Sequence, residues 1–314
     1  MRQFKQAASH FVQSIALSTA LSKSLALRRP ARRIIMLHGV GGADLPAADF
    51  KAGLVWLSRH FRVVPLSTMM NDIAANKPQP AAGEVAITFD DGLRNQLRVA
   101  FPILEELGIP ATIFVCPGLI DSHQWLWNHE VRARLRRLSD PARDELARLL
   151  GAPSGQIESM IGWLKGQVID QRMAAEQTIR DATPNFRPTH TEHEACDLMS
   201  WEELALFDPE QITIGSHTVT HPILPTLDDM QLRHELQQSR HMIETKLGRE
   251  ADLFCYPNGS NDARVRNAVA QIYGAAVTTE EGIVPTNADL FAIPRIAASA
   301  RLSLLAWRMH RPCS

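Results

Sequence analysis

Short, nearly unbroken apolar runs alternate along most of the chain with longer stretches of helical spacing. Residues 33–37 read as a strand, 49–60 as a helix with Phe50, Leu54 and Leu57 on one side, and 62–66 as a second strand. Residues 86–89 form a third strand. A helix over 93–107 follows, stopped by Gly108-Ile109-Pro110, and then a strand over 111–116. Further strands fall near Ile212 and Leu253. They are joined by a helix of roughly 228–247 that turns Leu232, Leu236, Ile243 and Leu247 inward and ends at Gly248. A helix over 262–272 and short strands over 275–278 and 291–293 close the series, with His310 in a terminal helix. Near-continuous apolar strands separated by helices imply a parallel sheet covered on its faces. Periodicity leaves an open doubly wound sheet and a closed barrel as alternatives.

Between Gly118 and Met199 the strand signal disappears. Residues 132–150 carry regular leucine spacing with alternating charge, and 157–179 continue in the same way, which predicts a helical insertion. Within it, Trp125-Leu126-Trp127-Asn128 reads either as hydrophobic anchors or as an aromatic shelf for a sugar. Residues 14–27 are rich in Ala, Leu and Ser, but Lys23 interrupts them and the run is shorter than a membrane span. An amphipathic helix is the reading, with a signal peptide or an interfacial membrane contact as alternatives.

Composition narrows the class. The chain has 314 residues, 45% hydrophobic and 21% charged, ordinary values for a globular protein with room for a sizeable core. Lys and Arg (33) nearly match Asp and Glu (34), which argues against a broad nucleic-acid surface. Cys116, Cys196, Cys255 and Cys313 show no Cys-x-x-Cys spacing and no disulfide framework, so a reducing compartment is compatible. The expected location is cytoplasmic, at the inner face of the membrane if the N-terminal helix makes a peripheral contact there.

Two strand ends carry candidate chemistry. Ala86-Ile87-Thr88-Phe89 runs into Asp90-Asp91-Gly92, where the strand opens into a loop and both carboxylates can turn toward one cavity. Adjacent anions repel, so the pair makes sense if a cation binds one and a proton or basic partner serves the other. Far downstream, Gln211-Ile212-Thr213-Ile214 leads into Gly215-Ser216-His217-Thr218-Val219-Thr220-His221, with two histidines four residues apart. Imidazole plus carboxylate suits zinc or a similar divalent ion, and three protein ligands leave a position open.

These residues resemble a known family. Thr88-Phe89-Asp90-Asp91-Gly92 and Ser216-His217-Thr218-Val219-Thr220-His221 look like the first two motifs of the polysaccharide deacetylases (the NodB-homology, carbohydrate esterase 4 group). Phe254-Cys255-Tyr256-Pro257-Asn258-Gly259 resembles the Tyr-Pro-x-Gly form of the third. The likeness runs from about residue 34 to 296 and leaves out the first thirty or so residues and 118–199. It implies an α/β fold, the distorted (β/α)7 barrel of that group, here with a helical insertion. The domain reading is an N-terminal extension over 1–30, a barrel over 31–300 with the insertion at 118–199, and a tail over 301–314.

The resemblance also implies roles. Asp91, His217 and His221 would be ligands of one divalent ion, zinc first, with cobalt and nickel as alternatives. Asp90 would be the general base, and Tyr256, Asn258 and Gly259 would line the substrate and oxyanion side. Two departures stand out. Many members begin the third motif with an arginine that holds the catalytic aspartate; here that position is Cys255, and Arg295 in Pro294-Arg295-Ile296 is the candidate substitute, its bland alternative an ordinary solvated or helix-capping arginine. The C-terminal Leu-x-His that supplies the catalytic acid is also missing. His38 in Leu37-His38-Gly39-Val40, as in members with a rearranged motif order, is the candidate to protonate the departing amine, ahead of His310.

The expected activity is hydrolysis of the N-acetyl group of an amino sugar in a polysaccharide or lipid-linked glycan. A non-sugar amide or imide is the alternative substrate. A non-catalytic carbohydrate-binding barrel is a third reading, disfavoured because Asp90, Asp91, His217 and His221 are all present.

Overall fold

The computed structural model describes residues 30–310. The N-terminal helix expected over residues 1–30 therefore lies, but for Pro30, outside the described residues. Eight strands form one parallel sheet: β1 (Arg32–Leu37), β2 (Arg62–Val63), β3 (Glu84–Phe89), β4 (Ala111–Val115), β5 (Ile212–Ser216), β6 (Leu253–Cys255), β7 (Ala275–Glu281) and β8 (Ile293–Ala297). Because β1 pairs with both β3 and β8, seven of them close into a barrel in the order β1-β3-β4-β5-β6-β7-β8. The short β2 lies outside that ring and pairs only with the first residues of β3, while β4 pairs with its last two. The ring is uneven. A single residue pair, Ser216↔Phe254, joins β5 to β6, and two join β1 to β8.

Alternation along the strands separates interior from wall. Ile34, Ala86, Phe114, Cys255, Val277 and Ile293 gather in one buried cluster. Their neighbours Ile35, Val85, Ile87, Ile113 and Ile214 belong to a second, larger cluster with Phe50, Leu54 and Leu57 of helix α1 (Ala47–His60). By the same parity Ala86, Thr88 and Asp90 share a face, so the first acid of the pair continues the inward row of β3.

Several elements depart from the pattern read along the chain. The expected strand over 62–66 stops at Val63, because Pro65 starts helix α2 (Leu66–Ala74). The helix expected over 93–107 contains a π-helical turn, Gln96–Ala100, before α3 (Phe101–Leu107), which ends at left-handed Gly108. Pro102, without an N–H and crowding the preceding turn, accounts for the widened spiral. The two long helices expected in the insertion are four: α4 (Trp127–Leu135), α5 (Asp140–Leu150), α6 (Ile157–Lys165) and α7 (Ile169–Asp181). Ser139 caps α5 by accepting from Ala142 N, and Gly166 ends α6. Two short helices, α8 (His190–Cys196) and α9 (Trp201–Ala205), return the chain to the barrel. Outside the insertion, α10 (Asp229–Leu247) opens with a capping box at Asp228 and ends at Gly248, followed by α11 (Ala263–Ala270) and α12 (Leu302–His310). Among the described residues no helix is long and apolar enough to cross a membrane.

Candidate active site and metal centre

The strand ends bring the paired acids and the paired histidines to one buried point. Asp91 leaves β3 with φ 75°, which turns its carboxylate away from the direction of Asp90. Gly92 follows at φ 70°, and a Cβ there would stand 2.9 Å from Val115 Cγ1, so the turn demands glycine. Across the mouth, Thr218 (φ 69°) and His221 (φ 60°) also sit in the left-handed region. A β-branched residue there is a genuine outlier, and such strain persists only where surrounding bonds over-determine it.

Those bonds are present. Glu235 of α10, itself buried, accepts from Val219 N (2.7 Å), Thr220 N (3.0 Å) and Thr220 Oγ1 (2.7 Å). Thr218 Oγ1 accepts from His221 N at 3.0 Å, and Trp127 Nε1 donates to the His221 carbonyl at 3.0 Å. On the opposite side the chain leaving the insertion pairs with the acid loop, through Arg94 N to Asp197 O and Met199 N to Gly92 O. The insertion thus braces both loops of the site. Trp125 and Trp127 are buried, with their N–H groups given to Asp197 (2.8 Å) and His221. They are anchors; the aromatic shelf is not formed by them.

Nε2 of His217 and Nε2 of His221 each lie 3.6 Å from Asp91 Oδ1, and the three ligand atoms are within 4.8 Å of one another. His217 Nδ1 donates to the Cys255 carbonyl at 2.6 Å. That bond fixes the tautomer and leaves a bare lone pair on Nε2, facing a carboxylate. Burial pushes His217 down and His221 down to about 3, so both rings are neutral. Asp91 is held below the usual carboxylate range although burial opposes its charge, with His38 the largest opposing influence. Asp91 Oδ1 and His217 Nε2 turn lone pairs to one point with His221 Nε2 beside them, an arrangement that a cation placed among them would satisfy. A tetrahedral shell with bonds of ~2.0–2.1 Å has edges of roughly 3.4 Å, close to the spacing found. The residues fit a divalent ion. Asp90, His217 and Cys255 form a second close group, but a guanidinium already fills it.

That guanidinium is Arg295, fully buried on β8. Its Nη1 and Nη2 each donate to one Asp90 oxygen at 2.7 Å, a bidentate pair. Nη1 also reaches Thr88 Oγ1 (3.0 Å), Nη2 the Cys255 sulfur (3.1 Å), and Nε the Thr278 carbonyl (2.8 Å). Burial alone would raise the Asp90 carboxyl; the charge of Arg295 outweighs it and holds it well below its ordinary value. Burial drives the Cys255 thiol well up, so it stays protonated. Gln96, from the π-helical turn, donates to the carbonyls of Asp90 (2.6 Å) and His38 (3.2 Å), tying the ends of β3 and β1 together.

His38 is half exposed, with Nε2 4.0 Å from Asp90 Oδ2. Asn258 sits at φ 55°, its Nδ2 enclosed without a partner and its backbone N–H without an acceptor among the described residues. Gly259 is at φ 69°, where a Cβ would collide with Thr279 Oγ1 at 2.1 Å. Tyr256 is corrected: its ring is fully buried, its hydroxyl donates to Phe291 O and its N–H to Val277 O, so it supports the turn from the core and offers a substrate nothing. His310 is excluded as well, being packed against Trp56 and against Phe61, which lies beside Gly83 at the opposite end of the barrel.

Reading the sequence missed Glu235, Gln96 and His129. Glu235 and Gln96 carried no local signal, since each acts on backbone brought near only by the fold. His129, on the first turn of α4, lies within electrostatic reach of Asp91, His221 and His38. Its place two residues after a tryptophan anchored to a ligand loop was invisible without that anchor.

Comparison with known proteins agrees with this geometry. Residues 77–275 match the family model described as polysaccharide deacetylase. The Bacillus subtilis protein YxkH, which carries a polysaccharide deacetylase name, is 21% identical over 280 residues, covering 88% of this chain and 74% of that protein. The Streptococcus pyogenes deacetylase PplD superposes with a TM-score of 0.61 at 17% identity, over 90% of this chain and 99% of PplD. IcaB from Ammonifex degensii gives 0.58 at 16% identity, over 89% and 97%. At these identities the structural matches speak for the fold.

Proposed function

The chain belongs to the polysaccharide deacetylase family, and from that premise we infer that it hydrolyses the N-acetyl group of an amino sugar in a polysaccharide or lipid-linked glycan. The observation that carries this reading is the buried group of Asp91, His217 and His221, whose ligand atoms converge closely enough to hold one cation. Zinc, bound by two imidazoles and a carboxylate, would polarise the acetamide carbonyl and make a water molecule more acidic.

The chain's own groups do the rest. Asp90, held ionised and aligned by Arg295, keeps free lone pairs to take the proton of the attacking water. The Asn258 N–H is the donor for the oxyanion. His38, exposed at the mouth and near Asp90, gives a proton to the departing amine. Acetate, described in complex with PplD, is the acid such a reaction releases.

The test is mass spectrometry after incubation with N-acetylhexosamine oligosaccharides and lipid-linked N-acetylhexosamines, with and without prior chelation. The expected result is replacement of one acetyl by hydrogen, abolished by the chelator and restored by zinc. Hydrolysis of simple amides with every sugar untouched would move the substrate out of the glycan class.

His38→Ala is expected to slow amide substrates by roughly 10²–10⁴-fold, because an unprotonated amide nitrogen leaves poorly. An activated aryl ester, whose leaving group needs little protonation, should suffer far less, and metal content should stay unchanged. Equal, modest losses on amide and ester would make His38 a structural residue.

A further inference from the structure

We propose that His129, carried by the insertion, contacts the substrate and hydrogen-bonds an oxygen of the acetylated sugar beside the metal site. This role rests on the function inferred above and gives the insertion a direct part in recognising the sugar.

The placement is built from α4. Trp127 Nε1 donates to the His221 carbonyl at 3.0 Å, which pins the first helical turn to the ligand loop. His129 N donates to Leu126 O at 2.9 Å and so belongs to that turn. Its ring is half-buried and close enough to Asp91 to interact with its charge. Two observations separate it from a surface histidine. Its Nδ1 is enclosed with no hydrogen-bond partner, and no described protein group bonds its Nε2. Such orphaned groups are uncommon in folded chains and call for an explanation. Beside it, the Asn128 side-chain oxygen is enclosed without a partner too.

His129 is not a ligand, since the close-set metal-binding atoms belong to Asp91, His217 and His221 without it. A neutral imidazole offers one donor and one acceptor. That pair suits a sugar hydroxyl, and it suits neither a carboxylate nor a phosphate, which would ask for a cation.

His129→Ala and His129→Gln should be assayed on an N-acetylhexosamine oligosaccharide and on 4-nitrophenyl acetate, with metal content measured in parallel. For the alanine variant kcat/KM on the sugar should fall about 10- to 100-fold, mainly through KM, as expected when one buried hydrogen bond to a substrate is lost. The aryl acetate, which presents no sugar, should be hydrolysed as before, and glutamine should restore most of the loss. Unchanged sugar kinetics in His129→Ala would overturn the role. A parallel fall in aryl acetate hydrolysis and metal content would also overturn it, making His129 a brace of the ligand loop. A wild-type enzyme that cleaves aryl acetate but no acetylated sugar would instead sink the inferred function, and this role with it.

Discussion

Asparagine at position 90 is expected to lower turnover by about 10²–10⁴-fold while leaving the divalent ion bound, the loss typical of removing a positioned general base. Asp90 stands apart from the ligand group, both of its oxygens being engaged by Arg295. Removing its charge has a second consequence. Arg295 is fully buried, and a buried charge deprived of its partner destabilises by about 3–5 kcal/mol. The variant should therefore melt well below the wild type. Adding Arg295→Leu should recover much of that stability and none of the activity. Thermal denaturation with metal analysis of the single and double variants checks both statements. Loss of the ion in Asp90→Asn would mean that the two acids have exchanged roles.

His217→Ala and His221→Ala should each abolish retention of the ion and reduce deacetylation to background, because two remaining ligands hold a divalent cation poorly. Their stabilities should differ. His217 loses with its ring a buried 2.6 Å bond to the Cys255 carbonyl, whereas the backbone bonds of His221 to Trp127 and Thr218 survive the substitution. His217→Ala should accordingly melt lower of the two. Elemental analysis and zinc titration of the purified variants decide the first point. An unchanged ion in both would remove Asp91, His217 and His221 as the site.

The parts of this molecule legible in its sequence are those whose cause is local. The runs ending at Asp90 and Ser216 are apolar, short and closed by turn residues, so strands and their chemistry could be placed together. Gly108 and Gly248 end helices because they accept the left-handed conformation, a property visible in one residue. What escaped has causes at a distance or in fine geometry. The breaks at Ser139 and Gly166 lie within continuous leucine spacing, and the widened turn before Pro102 keeps an ordinary helical composition. Trp125 and Trp127 left a sugar face open as the lesser reading until their N–H groups found acceptors 72 and 94 residues away. Arg295 was recognisable as a cation near a strand end, but its salt bridge to Asp90 spans 205 positions and is a property of barrel closure.

That span has a temporal meaning. On a chain emerging from the ribosome, Asp90, Asp91, His217 and His221 are all exposed to their surroundings before residue 295 is synthesised. Until then Asp90 has no guanidinium to hold it. The strand that brings Arg295 is the same one that seals the ring against β1, through Ile35↔Ile296 and Met36↔Ala297. The Asp90–Arg295 pair and the closing of the ring therefore depend on the same strand. A nascent chain stalled before β8 would carry Asp91, His217 and His221 and leave Asp90 without its counter-ion.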